Sequence, residues 1–339
     1  MSQRYIYPFT AIVGQDNMKK ALLLNIINPS LGGVLIKGEK GTAKSTAVRG
    51  LAEILPEREQ VKECKFSCDP KDISKMCDEC KQNIKNGLEV TKGKMKVVDL
   101  AISATEDRVV GTLDIEYAIK KGEKKFENGI LANANRNILY VDEVNLLDDN
   151  IVDILLDSAA MGVNTIEREG ISYNHPSSFI LIGTMNPEEG DLRPQLLDRF
   201  SLVVNVAGEK EYEKRAKVIK QRLKFDKDPE AFIKGENDNK EQLQDKSLRA
   251  KELLEQVQID DSILLKVAKL TTTLQVDGHR ADISLIKTAM TLAAFNERNK
   301  IIEEDILQAS ELVLPHRMRR KPFEENEFDF EKVKEIIRS

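Results

Sequence analysis

The stretch that decides the fold reads Gly38-Glu39-Lys40-Gly41-Thr42-Ala43-Lys44-Ser45-Thr46. It follows the short apolar run 33–36 and opens a helical pattern that ends near Leu55. The first Gly, the Lys and the Ser fit a phosphate-binding loop, whereas Ala43 stands where a third Gly is usual. In such a loop, backbone N–H groups and a helix N-terminus surround the phosphates. Lys44 is expected to reach the outer phosphate oxygens and Ser45 to hold Mg²⁺. Ala43 adds one methyl group and removes no N–H, so the stretch predicts a nucleotide site.

A second nucleotide-site element lies a hundred residues further on, in the run Ile138-Leu139-Tyr140-Val141-Asp142-Glu143. Its apolar residues predict a buried strand with two carboxylates at its end. We expect Asp142 to bind Mg²⁺ through its water shell and Glu143 to orient and polarise the attacking water. A strand ending in Asp-Glu is by itself often a solvated helix cap. Paired with the loop, it predicts nucleotide hydrolysis.

The rest of the chain divides into two predicted domains. Residues 1–207 alternate short apolar runs with helical patterns, which predicts an α/β domain with a parallel sheet. Residues 208–339 are predicted to form a helical domain, interrupted by a polar stretch at about 225–251 that marks a boundary or an exposed insertion. Near residue 290, Ile283, Ile286, Met290 and Ala293 recur at helical spacing, and Asp282 is the predicted N-cap.

Composition excludes several classes of protein. The 339 residues carry 52 basic and 57 acidic side chains, a net charge of −5, and they include no Trp. This balance argues against a broad nucleic-acid surface, and the scarcity of aromatic residues argues against stacking on single strands. No apolar run approaches the roughly 20 residues that span a bilayer. The first residues do not resemble a secretory signal, so we expect a cytoplasmic protein with no membrane partner.

All four cysteines lie within 17 residues, in a predicted insertion at 60–95. Cys64-x3-Cys68-x8-Cys77-x2-Cys80 is a spacing that suits tetrahedral Zn²⁺ or an iron–sulfur cluster. Reversible thiol redox chemistry and unligated thiols remain open alternatives, while cytosolic disulfides are uncommon. The three histidines are far apart in the sequence and are expected to be solvated or hydrogen-bonded rather than metal ligands.

Long segments, in order, carry a family resemblance over nearly the whole chain. They are AIVGQDNMKKALLLNIINPSLGGVLIKGEKGTAKST, ATEDRVVGTLDIEYAI, FENGILANANRNILYVDEVNLLDDNIVDILLDSAAMGVNTIEREGI, HPSSFILIGTMNPEEGDLRPQLLDRF and LPHRMRRKPF. The chain resembles the ATPase subunits I of magnesium chelatases, members of the AAA+ class. The resemblance implies a P-loop α/β domain with inserted β-hairpins, a helical lid domain, and a ring, commonly hexameric, with ATP bound between subunits.

Three further site residues follow from the resemblance alone. Asn186, after the strand FILIGTM, matches the sensor that helps to position the attacking water. Arg199, in Leu-Leu-Asp-Arg-Phe, matches the arginine finger that reaches a neighbouring subunit's phosphate, and Arg280 matches the second sensor. A guanidinium suits both roles because it stays charged and grips developing phosphate charge. Without the family, both arginines would be interpreted as surface cations or salt-bridge partners.

The resemblance also implies two inserted hairpins, around residues 107–122 and 162–177. In helicase relatives such hairpins grip nucleic acid, but the second tip here contains Glu167, Arg168 and Glu169, which offers little attraction to phosphate. Packing within the ring is the alternative. Leu113-Asp114-Ile115 resembles short acidic motifs that integrin-like adhesion domains bind, and the D-type partner of the chelatase motor carries such an adhesion-type domain.

The predicted function is an ATP-hydrolysing ring motor. In this interpretation it docks with the D-type partner and drives the large, porphyrin-binding H-type partner, on which Mg²⁺ enters protoporphyrin IX. One rival is the ATPase subunit of a cobalt or other tetrapyrrole chelatase. A second is a remodelling chaperone of the MoxR type. A DNA helicase would need an N-terminal DNA-binding domain, and only roughly 30 residues precede the first predicted strand.

Overall fold

The computed structural model describes residues 5–113, 126–168, 171–318 and 328–338. The chain divides into two compact units. Unit 1 comprises Met1–Ile54 and Leu192–Ser339, and unit 2 comprises Leu55–Asp191. Neither compact unit coincides with one of the predicted domains, 1–207 and 208–339. Those domains divide the chain by function, and this division stays a prediction.

Unit 1 contains two parallel strands. Strand β1 (Val34–Gly38) pairs with β11 (Leu202–Val206), with Val34 opposite Leu202 and Gly38 opposite Val206. The side chains of Val34, Leu35 and Ile36 are fully buried. A continuous apolar run of this kind is typical of a parallel strand covered on both faces.

Unit 2 contains three parallel strands in the order β4-β7-β10. They are β4 (Val97–Leu100), β7 (Ile138–Val141) and β10 (Ile180–Met185). Every residue of β7 and β10 is buried. Tyr140 lies opposite Ile182 and Val141 opposite Gly183, so the polar residues that follow both strands emerge at the same edge.

Three antiparallel strand pairs complete unit 2 among the residues described. They are β2 (Arg58–Val61) with β3 (Val90–Gly93), β5 (Gly111–Leu113) with β6 (Phe126–Asn128), and β8 (Val163–Arg168) with β9 (Ile171–Pro176). The last pair confirms the predicted second hairpin, although Glu169 and Gly170 lie outside the described residues. Of the first predicted hairpin, residues 114–122 also lie outside them, and with them Asp114 and Ile115.

The α-helices of unit 1 are Asp16–Ile27, Lys44–Ala52, Pro194–Leu197, Tyr212–Lys227, Pro229–Gly235, Asn237–Leu254, Asp261–Thr273, Arg280–Phe295, Glu303–Val313 and Phe330–Arg338. Among the described residues of unit 2 they are Asp78–Asn83, Glu106–Val110, Ile130–Ala134 and Asp149–Met161. Short 3-10 turns occur at Phe9–Ala11, Pro29–Leu31, Ile73–Lys75, Ile84–Asn86, Val144–Leu146 and Pro187–Glu189. None of the helices in the described ranges is both long and apolar enough to cross a membrane.

The predicted fold class is confirmed by the parallel strands of both units and by the helical character of the described residues after β11. The polar stretch 225–251 is itself helical, because it is rich in Lys, Glu, Gln and Leu, which favour helices. Asp228 caps the helix Pro229–Gly235 by accepting a hydrogen bond from the backbone N–H of Ala231 at 3.0 Å.

The predicted start of the helix near residue 290 is wrong. The helix begins at Arg280 with His279 as N-cap, and Asp282 lies in the first turn, 3.1 Å from the His279 ring. Of the four apolar residues at helical spacing, Ala293 is buried and Ile283 is 55% exposed, while Leu285, Ala289 and Leu292 of the adjacent row are buried as well. Two adjacent rows of this helix are apolar, and periodicity alone does not decide which row meets the core.

Candidate functional site

The loop 38–46 joins the end of β1 to the start of the helix Lys44–Ala52, as predicted. A Cβ atom on Gly38 would lie 2.1 Å from the carbonyl oxygen of Val206, so the close approach of β11 requires glycine there. Gly41 has a φ of 84°, a left-handed conformation that favours glycine. The two glycines therefore shape the loop for separate reasons, close packing and backbone conformation.

Ala43 is the N-cap of this helix and has a φ of 61° and a ψ of 20°. A left-handed conformation costs a non-glycine residue about 1–2 kcal/mol, which explains why glycine is usual at this position. Since an alanine side chain accepts no hydrogen bond, the first N–H groups of the helix are not capped by it. Such uncapped N–H groups at a helix start are the donors that bind phosphate in nucleotide loops.

The Lys44 ammonium lies folded against the loop. Its Nζ donates hydrogen bonds to the carbonyl oxygens of Gly38 and of Glu39, the latter at 3.1 Å. The Thr42 hydroxyl donates to the same Glu39 carbonyl at 2.8 Å. Ser45 is exposed in the first turn of the helix, and Thr46 is half-buried. The loop thus places a cation and a hydroxyl at the start of the helix, as a Mg-nucleotide site requires.

Arg280 and Arg199 belong to the same unit as the loop. Arg280, 54% exposed, donates from Nη1 to Asp198 Oδ2 at 2.6 Å. Arg199 follows Asp198 directly and lies half-buried between the helix Pro194–Leu197 and β11. Unit 1 therefore brings Arg280 to the carboxylate of the residue that precedes Arg199.

Arg317 is a residue that the sequence analysis missed. Its side chain is 2% exposed, and its Nε donates to Asp198 Oδ1 at 2.9 Å. Its two terminal nitrogens donate to the backbone carbonyls of Asp198, Phe200, Ser201 and Val313. Burial lowers the pKa of Arg317, and the hydrogen bond to Asp198 opposes that shift. The residue lies in the segment LPHRMRRKPF, but nothing in the pattern distinguishes this arginine from its neighbours.

Asp142 and Glu143 follow β7 in unit 2. Asp142 Oδ1 accepts hydrogen bonds from the Thr184 hydroxyl at 2.5 Å and from the Tyr140 hydroxyl at 3.0 Å. Thr184 is fully buried and also accepts from the Glu143 backbone N–H at 3.2 Å. One threonine of the adjacent strand thus orients the carboxylate and the backbone after it. Thr184 was not predicted, although it stands two residues before Asn186.

Glu143 and Asn186 both lie where the backbone leaves a buried strand. Glu143 has a φ of 55° and a ψ of 52°, a left-handed conformation that stores roughly 1–3 kcal/mol of strain and is typical of functional sites. Asn186 is 4% exposed, and its Oδ1 accepts from the Glu188 N–H at 3.3 Å, which caps the turn Pro187–Glu189. Asn186 and the two carboxylates of unit 2 therefore occupy the carboxyl ends of neighbouring parallel strands.

The four cysteines come together in unit 2, as their spacing predicts. Their Sγ atoms all lie within 4.8 Å of one another, and Cys64 Sγ is 3.9 Å from Cys77 Sγ. Cys68, Cys77 and Cys80 are buried, and all four are free thiols. Hydrogen bonds with the Cys68 and Cys77 thiols hold the pKa of Cys64 well below its usual range. The Cys64 bond acts oppositely on Cys68, whose pKa it raises.

Comparisons with known proteins agree with this geometry. The AAA domain (dynein-related subfamily) matches residues 81–200, and the AAA lid domain matches residues 265–336. These matches support the predicted α/β and lid architecture and an ATP-hydrolysing enzyme.

Two curated relatives and one solved structure match nearly the whole chain. A magnesium-chelatase subunit ChlI homolog of Methanocaldococcus jannaschii is 58% identical over 99% of this chain and 92% of its own length. The magnesium-chelatase subunit ChlI of Mesostigma viride is 51% identical over 95% of this chain and 90% of its own. A chain in the cryo-EM-based complex between subunits BchI and BchD of magnesium chelatase is 43% identical, with a TM-score of 0.56, covering 98% of this chain and 100% of that one. Since relatives at 51% and 58% identity cover at least 95% of this chain, the chain belongs to the magnesium-chelatase subunit I family of AAA ATPases.

Proposed function

We propose that the chain is the ATP-hydrolysing ring subunit of a magnesium chelatase, which drives insertion of Mg²⁺ into protoporphyrin IX together with the D-type and H-type partners. The observation that carries the proposal is the 58% identity to a ChlI homolog over 99% of the chain. The BchI–BchD complex supports a BchD-like protein as a partner, since the matching chain there is covered completely. The H-type partner and a hexameric ring rest on the family resemblance.

In this proposal the loop Gly38–Thr46 binds the nucleotide phosphates. The Lys44 ammonium leaves its carbonyl partners for the outer phosphate oxygens, while Ser45 and Asp142 hold the Mg²⁺ of the nucleotide. Asp142 suits this role because Thr184 and Tyr140 both bond to Oδ1 and hold the carboxylate in one orientation. The bound Mg²⁺ supplies charge that stabilises the phosphates during transfer.

The remaining residues act on the attacking water and on the developing charge. Glu143 accepts a hydrogen bond from the water and orients it, and Asn186 positions it from the adjacent strand. Arg199 reaches the phosphate of the neighbouring subunit, and Arg280 contacts the nucleotide of its own subunit. Arg280 bonds to Asp198, the residue that precedes Arg199 in the sequence.

We further propose that the four thiols hold a metal cofactor, either Zn²⁺ or an iron–sulfur cluster. The support is the convergence of four sulfur ligands within 4.8 Å of one another. In this proposal the protein works in the cytoplasm, where free thiols stay reduced. The domain division of residues 1–207 and 208–339 is retained as the division between nucleotide engine and lid.

Reconstitution tests the function. The chain is combined with candidate D-type and H-type partners, protoporphyrin IX and ATP, and the product spectrum is recorded with Mg²⁺ or with Co²⁺. We expect ATP-dependent formation of Mg-protoporphyrin. Insertion of Co²⁺ alone would move the assignment to a cobalt chelatase, and no insertion of either metal would favour a MoxR-type remodeller.

Two variants test the proposed hydrolytic roles. Arg199→Ala should abolish turnover in an assembled ring while leaving nucleotide binding intact, because its partner phosphate lies in the next subunit. Arg215→Ala, an exposed arginine on the helix Tyr212–Lys227, is the matched control and should hydrolyse ATP normally. Normal turnover of Arg199→Ala would refute the arginine-finger role.

A further inference from the structure

We propose that the four thiols bind a single tetrahedral Zn²⁺ ion, and that this ion fastens the insertion 60–95 to both hairpins of unit 2. The inference rests on the metal binding proposed above and narrows it in two ways. It selects one ion over a cluster, and it assigns that ion a structural task in the hairpin region.

The distances between the sulfur atoms favour a single ion. Four thiolates at about 2.3 Å from one Zn²⁺ stand about 3.8 Å apart at the corners of a tetrahedron. Cys64 Sγ and Cys77 Sγ are separated by 3.9 Å, and no pair among the four exceeds 4.8 Å. A cluster of two or more irons attaches its cysteines to different metal atoms and so needs a wider ligand set. The sulfur cage is therefore the size of one ion.

Local backbone structure brings each pair of ligands together. In the first pair, Glu63 and Ser67 have φ values of 60° and 48°, and the Ser67 N–H donates to the Cys64 carbonyl at 3.1 Å. This tight turn places Cys64 and Cys68 side by side. In the second pair, Cys77 is the N-cap of the helix Asp78–Asn83, so Cys80 follows one turn later on the same face.

Two backbone N–H groups point at the sulfur atoms. The Phe66 N–H donates to Cys64 Sγ at 3.4 Å, and the Cys77 N–H donates to Cys68 Sγ at 3.2 Å. Such bonds stabilise the negative charge of a thiolate and orient it, as the outer partners of metal ligands do. Both sulfurs of the first ligand pair are thus prepared to bind a cation.

The insertion has few other means of holding its shape. Its strands have four residues each, and its α-helix has six. The buried apolar residues around the thiols are Val61, Phe66, Met76 and Ala132, and the partly buried Ile84, Leu88 and Phe126 pack against them. A core this small contributes little stability, and small domains of this kind commonly depend on a metal or on disulfides.

Aromatic contacts connect the thiol cluster to the hairpins. Phe66, between Cys64 and Cys68, stacks on His175 of β9 with ring centroids 5.1 Å apart. Phe126 of β6 packs against the thiol cluster and stacks on Tyr173 of β9 at 4.5 Å. Asn164 of β8 bonds to His175 Nε2 at 3.0 Å, so the ring orientation is fixed from the other strand. Displacement of Phe66 would therefore disturb the packing of both strand pairs, β5–β6 and β8–β9.

Hydrogen bonds tie the same turn to the segment that precedes β7. The Asn135 side chain donates to the Phe66 carbonyl at 2.7 Å. Arg136 donates to the Ser67 carbonyl at 3.0 Å and to Asp69 Oδ2 at 2.7 Å. The cysteine turn is thus anchored two or three residues before Ile138, the first residue of the strand that precedes Asp142.

An ion has a path to the site. A cleft of about 460 Å³ is bordered by Cys64 and Cys80. Glu63 and Glu79 also line it, as does Glu89, which forms an ion pair with Lys62 at 2.7 Å. Carboxylates at the mouth of a cleft attract a divalent cation, and an open approach allows loading and removal without unfolding.

Metal analysis of the full-length protein, purified without oxygen, tests the identity of the ion. We expect about one Zn per chain, no iron and no acid-labile sulfide. Replacement by Co²⁺ should give the intense visible bands of a tetrahedral thiolate complex. Cys64→Ser should lose at least half of the zinc, Cys64→His should retain it, and Met76→Leu, a buried control with the volume nearly conserved, should bind zinc normally. Iron with sulfide, or absence of zinc after loading with ZnCl₂, would overturn the proposal.

Hydrogen exchange tests the structural task. Removal of zinc with a chelator should lower protection in residues 126–128 and 163–168 and in the insertion, with protection in β1 unchanged. Zinc at full stoichiometry with unchanged hairpin protection after its removal would refute the fastening role. ATP binding, measured with a fluorescent nucleotide, and metal insertion are scored separately. A failure of the chelatase assay therefore leaves the zinc result standing, and the reverse is also true.

Discussion

Arg317 and Arg280 both bond to the Asp198 carboxylate. We expect removal of Arg317 to lower the stability of the fold strongly and removal of Arg280 to change it little. Arg317→Met keeps much of the side-chain volume and removes the charge. We expect it to lower the free energy of unfolding by about 3–5 kcal/mol, because buried backbone carbonyls lose their donor at roughly 1–3 kcal/mol each. The Arg317 side chain is 2% exposed and donates five hydrogen bonds, one to the carboxylate and four to backbone carbonyls.

The size of this effect follows from what the substitution leaves behind. Each buried acceptor without a donor costs roughly 1–3 kcal/mol. The Phe200 carbonyl keeps a bond from His316 Nε2 at 3.1 Å, and Asp198 is 40% exposed and can be hydrated in part. The loss is therefore smaller than five full penalties and falls in the expected range.

Arg280→Met is the matched control. Arg280 forms an ion pair with the same carboxylate from a side chain that is 54% exposed. Exposed ion pairs contribute about 0–1 kcal/mol, so stability should change little. In the proposed function this variant nevertheless loses ATP hydrolysis, whereas the Arg317 variant loses activity only as far as it unfolds.

The assay is urea denaturation followed by far-UV circular dichroism, at low protein concentration without nucleotide. The Arg317→Met midpoint should fall with little change in slope, since the surface exposed on unfolding is nearly the same. A loss below about 1 kcal/mol for Arg317→Met, on the scale of an exposed pair, would refute the reasoning, and so would an equal loss for Arg280→Met.

Three further predictions concern single residues. Ala43→Gly should stabilise the chain by about 0.5–1 kcal/mol, because the relief of left-handed strain exceeds the conformational entropy that glycine adds to the unfolded chain. Urea denaturation measures the change, and a destabilised variant would contradict the strain argument. Thr184→Val should lower ATP turnover or Mg²⁺ affinity about 10–100-fold, because Asp142 loses a hydrogen bond that orients its carboxylate. A titration of ATPase activity with Mg²⁺ measures the effect, and unchanged kinetics would exclude the orienting role. Burial holds the pKa of His316 well below its usual range, so the folded state binds fewer protons than the unfolded state, and stability should fall as the pH drops below about 6.5. His316→Gln should weaken this pH dependence in denaturation series at several pH values, and the exposed His279→Gln should not; equal slopes in all three proteins would speak against His316 as the source.

Much of the fold could be predicted because its signals are local. The runs 33–36, 138–141 and 179–182 are short and mostly apolar, and polar residues follow closely, so their strands were identifiable. The helix Arg280–Phe295 was predicted, but with Asp282 instead of His279 as its N-cap. Its two apolar rows are alike in sequence, and only packing against neighbouring helices selects one of them.

The candidate site shows the same limit. The loop and the two carboxylates were predicted because their motifs follow strands directly, whereas Asn186 was predicted from the family resemblance. Thr184 and Arg317 were missed because their roles depend on contacts across 42 and 119 positions of the chain. No motif marks a threonine that bonds to a carboxylate on the next strand.

By itself the sequence determined the residue types that the chemistry needs: a phosphate loop, an Asp-Glu pair after a strand, and four cysteines confined to 17 residues. The tertiary structure alone decided that Ala43 is left-handed, that Arg317 rather than Arg280 is the buried partner of Asp198, and that the sulfur cage is the size of one ion. The physical reason is that the chemistry of each side chain is fixed by the residue type at that position alone. Burial, backbone strain and the spacing of ligands arise only when distant segments pack and exclude water.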